Sequence, residues 1–346
     1  MPEEWPIAAP AAGDAPARLA GRGRLATVRR DFFLDPAKRL TEQERALMTA
    51  MLHCLVGDVA AEIRAALPSG RLAANDEGDA VLVASLTAAG LLNEAGLMAL
   101  LLRRADEERI STAARARTGR REARVLQGLV SHDYGAVAAA AMALILGRGR
   151  RRDRFGQCLI SFDDLSESSA EALVHAVAAG LRRDLAAARG ISGADRELAE
   201  ASEKVLEHRD EERGTEVLTA ALVHFLDEAG GLTDELVLAA ANEGEIAFVA
   251  EVLARRSGLR TESATDELLS GNARYLMALL RMAGMSRTLS AGLLAGIGDL
   301  LGVADAGEAI DLFDRMSEQD VEAARSWLTT APPYRVALDR LGQGRG

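Results

Sequence analysis

The sequence predicts an all-α protein, built as an array of short stacked helices. Hydrophobic residues make up 49% of the 346 residues but aromatic residues only 3%, so the core must consist mainly of Ala, Leu, Val and Met. Apart from valine these residues favour helices, whereas the β-branched and aromatic segments that strands need are few. The third observation is an internal repeat, since a fixed period with one glycine-terminated helix per copy is typical of stacked-helix arrays.

The repeat consists of Gly244–Leu259 and Gly271–Met285, which start 27 residues apart and align with one extra residue in the first copy. Asn93–Arg104 is a fainter third copy. Lead helices are predicted over Glu235–Asn242 and Ser263–Leu269, each followed by the core helix of its unit. Short helices are unstable alone in water, so each must bury its apolar stripe against a neighbour. The pattern predicts a HEAT-like α-solenoid.

Apolar stripes and capping residues predict the other helices. Thr41 and Glu44 form a predicted capping box, which opens a helix to about Leu67. Ser168 and Glu171 are predicted to open a second long helix, to about residue 189. Further helices are predicted near 77–89, 93–105, 107–116, 119–130, 134–147, 194–212, 215–228, 288–302, 305–316, 318–329 and 333–341.

Composition divides the chain into three parts. Residues 1–34 are rich in Ala, Pro, Gly and Arg without periodicity, and are predicted to be a disordered leader. Residues 35–150 are predicted to form an N-terminal helical lobe, and residues 151–346 a C-terminal helical-repeat lobe. The two lobes are expected to meet around residues 148–165.

Charge and cysteine content indicate a soluble cytoplasmic protein. The net charge of −11 argues against broad binding to nucleic acid or anionic membranes. The longest apolar stretch, Ala136–Leu146, is too short to span a bilayer, and the N-terminus has no apolar signal segment. Cys54 and Cys158 are expected to be free thiols in a reducing compartment and to act as small packing residues.

The basic middle of the chain contains the candidate ligand site. Residues 103–154 carry 13 basic and 6 acidic side chains, against the acidic balance of the whole. Guanidinium groups bind phosphate and carboxylate bidentately, whereas cations near a helix C-terminus also stabilise the helix dipole without any ligand. The candidate ligand-binding residues, which follow a predicted helix, are Arg148, Arg150, Arg151, Arg152 and Arg154.

Three other sets of residues are weaker candidates for a site, either in catalysis or in nucleic-acid binding. Glu171 and His175 lie one helical turn apart and could be half of a metal site, but no paired metal motif accompanies them. Cys54 and His53 are adjacent on a helix and point about 100° apart, so they cannot act as a nucleophile and base. A second basic stretch, with Arg117, Arg121 and Arg124 on one helical face, has no aromatic side chains between its arginines for stacking bases.

Packing patterns give the sequence a family resemblance. The matching segments are Asp58–Arg64, Leu91–Arg104, Gly244–Leu259 and Leu268–Met285. They resemble an uncharacterised family of helical-repeat proteins found mainly in alphaproteobacteria, a domain of unknown function. The resemblance covers about residues 40–290 and excludes the tail after about Leu301. It implies an array of HEAT-like helices and brings no catalytic residues.

We therefore expect a non-enzymatic protein that acts as an interaction or regulatory scaffold, with no catalytic residues, metal or cofactor. Its partner is expected to be a protein, with no membrane and no nucleic acid involved. Trp327 and Tyr334 are candidate contacts for docking or for a homodimer. The alternative is a sensor that binds an anionic, nucleotide-like ligand at the arginine cluster. A third alternative is an enzyme that uses Glu171 and His175.

Overall fold

The structure is a computed structural model that describes residues 40–67, 76–119, 124–153, 156–331, 334–335, 337–338 and 341. These residues form fifteen α-helices, two 3-10 turns (Phe162–Asp164 and Glu211–Arg213) and no strand, which confirms the all-α prediction. The helices are α1 (Glu42–Ala66), α2 (Asp76–Ala88), α3 (Ala95–Thr118), α4 (Arg124–Leu129), α5 (Gly135–Arg150), α6 (Glu167–Arg189), α7 (Ile191–Glu207), α8 (Thr215–Glu228), α9 (Asp234–Asn242), α10 (Ile246–Ser257), α11 (Thr261–Leu268), α12 (Ala273–Met282), α13 (Arg287–Ile297), α14 (Ala306–Arg315) and α15 (Glu318–Thr329). The predicted leader over residues 1–34 lies outside the described residues. Of the predicted helix near 333–341, residues 334–335 and 337–338 are described and helical, and residue 341 lies in a turn.

The chain divides into two compact units, Met1–Ala46 and Leu47–Gly346. The described part of the first unit contains the beginning of α1. There Thr41 Oγ1 accepts a hydrogen bond from the Glu44 amide at 3.1 Å, and Glu44 Oε2 accepts one from the Thr41 amide at 2.8 Å. The predicted capping box is therefore confirmed.

The second unit contains two hydrophobic cores. The N-terminal core consists of α1, α2, the first half of α3, α6 and α7. The C-terminal core consists of the second half of α3, α4, α5 and α8–α15. Helices from either side of residue 150 enter both cores, so the clusters do not follow the predicted boundary at 150/151. The division into two lobes stays a prediction.

Among the described helices, α1 is the one that is long and apolar enough to cross a membrane by length and composition. A helix at the centre of a folded core passes the same test. The apolar side of α1 does lie in the N-terminal core, where Met51, Leu55 and Ile63 are at most 1% exposed.

The second helical stretch of the N-terminal half differs from its prediction. Helices 93–105 and 107–116 were expected to be separate, but α3 is one helix of 24 residues. Ion pairs between Arg104 and Glu107, and between Asp106 and Arg109, span the expected break and stabilise the continuous helix.

The start of α6 is a second correction. The expected capping box at Ser168 and Glu171 is not formed, because Ser166 is the capping residue and its Oγ accepts a hydrogen bond from the Ser169 amide at 3.2 Å. At the start of α15, Ser317 and Asp320 form a capping box.

The two predicted repeat segments both contain a helix with left-handed glycines near its two ends. Gly244 and Gly271 have φ angles of 75° and 68°, and each lies two residues before the start of a core helix, α10 or α12. Gly258 and Gly284, which follow those helices, have φ angles of 70° and 66°. The lead helices α9 and α11 stand close to their expected positions.

Gly244 is required by both its backbone conformation and its surroundings. A Cβ atom at this position would lie 2.6 Å from the Cα of Ser111 in α3, closer than van der Waals contact allows. Gly258 has a similar φ of 70° but has no heavy atom within 4 Å of the corresponding position. Substitutions at the two glycines therefore separate the free-energy cost of the left-handed conformation from the cost of the close approach between helices.

We predict that Gly258→Ala lowers the free energy of unfolding by about 1–2 kcal/mol, the cost of the left-handed conformation. Gly244→Ala should lower it by about 1–3 kcal/mol more, because the added methyl group overpacks against the α3 backbone. Urea unfolding followed by circular dichroism measures both. Equal losses in the two variants would contradict the close approach of Gly244 to α3.

Candidate functional site

The arginines at the end of α5 divide into different environments. Arg148 pairs with Glu245, which precedes α10. Arg150 is exposed and donates to the carbonyl of Arg213 at 3.1 Å. Arg152 donates to the Gly156 carbonyl at 2.8 Å and to the Glu108 carboxylate at 2.7 Å. Arg154, the last predicted site residue, lies outside the described residues.

Arg151 forms a buried bidentate ion pair with Asp164. Its Nε and Nη2 each donate to an Asp164 carboxylate oxygen at 2.6 Å. The Asp164 carboxylate is fully inaccessible and also accepts hydrogen bonds from the Thr215 amide at 2.9 Å and the Thr215 hydroxyl at 3.1 Å. Because Arg151 directly follows α5 and Thr215 begins α8, this pair fixes the two helices to the 3-10 turn that carries Asp164.

A second buried arginine, Arg104 of α3, extends this charge network. It is 3% exposed, forms an ion pair with Glu107, and donates to Glu216 of α8 at 3.3 Å. Burial opposes the charge on Arg104, but the Glu107, Asp164 and Glu216 carboxylates raise the pKa of its guanidinium above the ordinary value. Arg104 Nε is buried and has no hydrogen-bond partner among the described atoms.

The buried charges shift one another's pKa values. Burial would raise the pKa of Asp164, but the Arg151 and Arg104 guanidiniums and the hydrogen bond from Thr215 hold it below its ordinary value. Burial, with the neighbouring charge of Arg104, lowers the pKa of Arg151 to about 10. Both groups are therefore charged at neutral pH.

These residues surround a cavity of about 450 Å³ between α3, the end of α5, the start of α8 and the start of α10. Its volume is within the range of small-molecule sites. Three of the predicted site residues line it, and Arg150 does not. The charged lining residues are Arg104, Arg115, Arg148, Arg151, Arg152, Glu107, Glu108, Glu216 and Glu245.

The thiol of Cys158 also lines the cavity. Burial and the nearby Glu108 carboxylate raise its pKa to about 11, although Arg152 and Arg151 act in the opposite direction. The thiol is therefore protonated at neutral pH and weakly nucleophilic. Cys54, expected to be a packing residue, is instead exposed on α1.

The other candidates from the sequence do not assemble into a site. Glu171 and His175 are both exposed on α6. Among the described residues, no group of three or more His, Cys, Asp or Glu side chains could hold a metal ion. Arg117 pairs with Asp299 of the loop after α13, and Arg124 begins a separate helix, so they do not share one basic helix face. Arg121 lies outside the described residues.

Sequence reasoning missed the α3 side of the cavity. The side chains that α3 contributes recur every three or four residues, at positions 104, 107, 108, 111 and 115. This spacing is typical of one polar face of a helix. The expected break after residue 105 hid the pattern, because it divided the polar face between two short helices.

We predict that Asp164→Asn lowers the free energy of unfolding at pH 7 by about 3–5 kcal/mol, since it leaves the buried Arg151 without its counter-charge. Because the folded-state pKa of Asp164 is depressed, its stabilising effect is present above the ordinary pKa of about 4. The effect is lost as pH falls through the folded-state pKa. The difference between wild type and variant should therefore shrink below pH 4, as measured by urea unfolding at a series of pH values.

Asp195→Asn provides the matched control. Asp195 also pairs with an arginine, Arg182, but both side chains are about half exposed. This variant should stay close to wild type at every pH, because exposed ion pairs contribute little. Similar losses from the two substitutions would contradict the structural importance of the buried pair.

Comparison with known proteins gives a family but no relative of known activity. No curated protein matches the chain, and no solved structure matches it. A family model described as "Uncharacterised protein conserved in bacteria (DUF2336)" matches residues 86–326, more than two thirds of the chain. The match begins after α1 and extends to residue 326, whereas the sequence resemblance was expected to cover about 40–290. The chain thus belongs to the uncharacterised bacterial family DUF2336.

Proposed function

We propose that this protein is a non-enzymatic interaction or regulatory scaffold, in which a HEAT-like array of helix pairs presents a surface to a protein partner in the bacterial cytoplasm. The array is supported by the recurrence of a lead helix, a left-handed glycine and a core helix in α9–α10 and again in α11–α12. Stacked pairs of this kind form extended binding surfaces.

The observation that carries the proposal is an apolar strip on the outside of α5 and α8, formed by Met142, Leu146 and Val217. These side chains are 43%, 60% and 42% exposed. The two helices meet where a Cβ on Gly147 would lie 2.7 Å from Leu218 Cδ1. Leu146 directly precedes Gly147, and Val217 directly precedes Leu218. Because the two helices are antiparallel, the residues that precede the contact positions lie on the same side of the pair. Exposed apolar groups that cluster in this way mark interaction surfaces.

The apolar strip and the cavity lie on opposite sides of this helix pair. The residues that follow the contact positions are Arg148 and Thr219, and both line the cavity. Successive helical residues point about 100° apart, so the side that holds Arg148 and Thr219 faces away from the strip. A partner on the strip would leave the cavity accessible.

We predict that a photoreactive amino acid placed at Leu146 crosslinks one discrete partner in cells of the native bacterium. Arg183, which is 87% exposed on α6, is the control position and should give no such adduct. The Leu146 adduct should disappear when Val217→Asp places a charge on the apolar strip. Mass spectrometry of the adduct identifies the partner, and a product containing two copies of this chain would indicate the homodimer.

The absence of an adduct at Leu146, or the same adduct at Arg183, would contradict the proposed interaction surface. Circular dichroism of the Val217→Asp variant checks that the fold is retained.

A second candidate function is a sensor for an anionic small ligand, which the cavity favours. Arg148 and Arg152 are 29% and 39% exposed and line the cavity beside the apolar residues Leu126, Ile145 and Ile246. Small-molecule sites typically combine an apolar lining with a few converging polar groups. The ligand-binding arginines in this proposal are Arg148 and Arg152, whose side chains are partly exposed although each pairs with a glutamate, whereas Arg151 is buried in its pair with Asp164.

We predict saturable binding of at least one nucleotide or sugar phosphate, measured by calorimetry across a panel of small anions. Arg152→Ala should weaken this binding at least about ten-fold, the effect of losing one charge-assisted hydrogen bond. Arg150→Ala removes the same charge two residues away, outside the cavity, and should bind like wild type. No binding across the panel, or equal effects of the two substitutions, would contradict this candidate.

A further inference from the structure

We propose that the cavity binds a small organic phosphate monoester, whose phosphate group lies at the N-terminus of α10 and replaces the Glu245 carboxylate as the partner of Arg148. This inference rests on the ligand-sensor function proposed above and names the class of ligand and the group that it displaces. Four features of the cavity support it.

The first feature is the beginning of α10. Gly244, Glu245, Ile246 and Ala247 all line the cavity, and no side chain caps this end of the helix. The amides of a first helical turn lack partners within the helix, and the helix dipole adds a partial positive charge there. Such an end attracts phosphate groups.

The second feature is the set of guanidinium groups that line the same cavity. Arg115, Arg148 and Arg152 have side chains 25%, 29% and 39% exposed, so solvent and ligands can reach them. The buried Arg104 also lines the cavity, and its Nε has no hydrogen-bond partner among the described atoms. Guanidinium groups match the oxygen geometry of phosphate.

The third feature is a similar anion site elsewhere in the fold, which is occupied by a side chain of the protein itself. The N-terminus of α8 holds the Asp164 carboxylate, which accepts hydrogen bonds from the Thr215 amide and, bidentately, from Arg151. A helix N-terminus and an arginine from the end of α5 therefore hold an anion there. The start of α10 presents the same two elements, with Arg148 in the place of Arg151, but on the wall of an open cavity.

A ligand must displace the Glu245 carboxylate from Arg148, and this competition favours a phosphate ligand over a carboxylate ligand. Glu245 is covalently part of the site, so its effective concentration at Arg148 is high. A ligand carboxylate would offer the same single charge and gain nothing over it. A phosphate monoester carries nearly two charges and three acceptor oxygens, enough to engage Arg148 and Arg152 with the α10 amides together.

The fourth feature is the remaining volume. A cavity of about 450 Å³ is much larger than one phosphate group, and the apolar side chains of Leu126, Ile145 and Ile246 line part of it. An organic group attached to the phosphate would cover these side chains and gain from their burial. The ligand is therefore expected to be an ester and not inorganic phosphate alone.

The test compares phenyl phosphate, inorganic phosphate and benzoate as probes by titration calorimetry or NMR. Wild type should bind phenyl phosphate more tightly than inorganic phosphate, and benzoate least. Glu245→Gln should tighten phenyl phosphate binding at least about five-fold, because it removes one competing charge at contact distance. Arg148→Ala should weaken it at least about ten-fold.

Glu216→Gln is the matched control, because Glu216 also lines the cavity but pairs with Arg103 and Arg104 instead of Arg148. It changes the net charge equally, so an affinity gain as large as that of Glu245→Gln would overturn the proposed position of the phosphate. Binding by wild type that Glu245→Gln leaves unchanged would overturn this inference and leave the sensor function standing. No binding of phenyl phosphate by wild type or by Glu245→Gln would also overturn this inference, whereas the sensor function is overturned only if the nucleotide and sugar-phosphate panel shows no binding either. Circular dichroism confirms that each variant is folded.

Discussion

The buried ion pair between Arg151 and Asp164 constrains the centre of this molecule. Two charges lose their hydration when they are buried, and this cost is offset only when nearly every hydrogen-bonding position is filled. Here the guanidinium reaches both carboxylate oxygens, and Thr215 donates twice to one of them. The end of α5, the turn that carries Asp164 and the start of α8 must therefore come together correctly or leave a bare charge inside the protein.

This pair also fixes the directions in which the neighbouring arginines point. Once Arg151 is fixed inward, Arg150 points to the outside and Arg148 points into the cavity, because successive helical residues turn by about 100°. One cluster of arginines in the sequence thus separates into a structural residue, a surface residue and candidate ligand-binding residues. Charge content alone could not make that distinction.

Local features of the fold were predictable from the sequence because they depend on residues close together in the chain. The capping boxes at Thr41 and Ser317, and the left-handed glycines around α10 and α12, are of this kind. The continuous α3 was missed because a break was expected after residue 105, while the ion pairs that span this position depend on the helix being formed. Glu245 was missed because its partner, Arg148, is 97 residues away in the chain.

The packing of α5 against α8 gives the two proposed functions a shared structural basis. The helices meet at Gly147 of α5, which has no side chain and lies against Leu218 and Thr215 of α8. Because this interface is closely packed, a change in the position of one helix must move the other. The cavity lies on one side of this pair and the apolar strip on the other.

A ligand that replaced the Glu245 carboxylate on Arg148 would act on the end of α5, which carries Leu146 on its opposite face. If the ligand and the partner each bound one position of α5 more tightly than another, each would change the affinity for the other by the same factor. Regulation of partner binding by a small ligand therefore needs no moving part other than this helix pair.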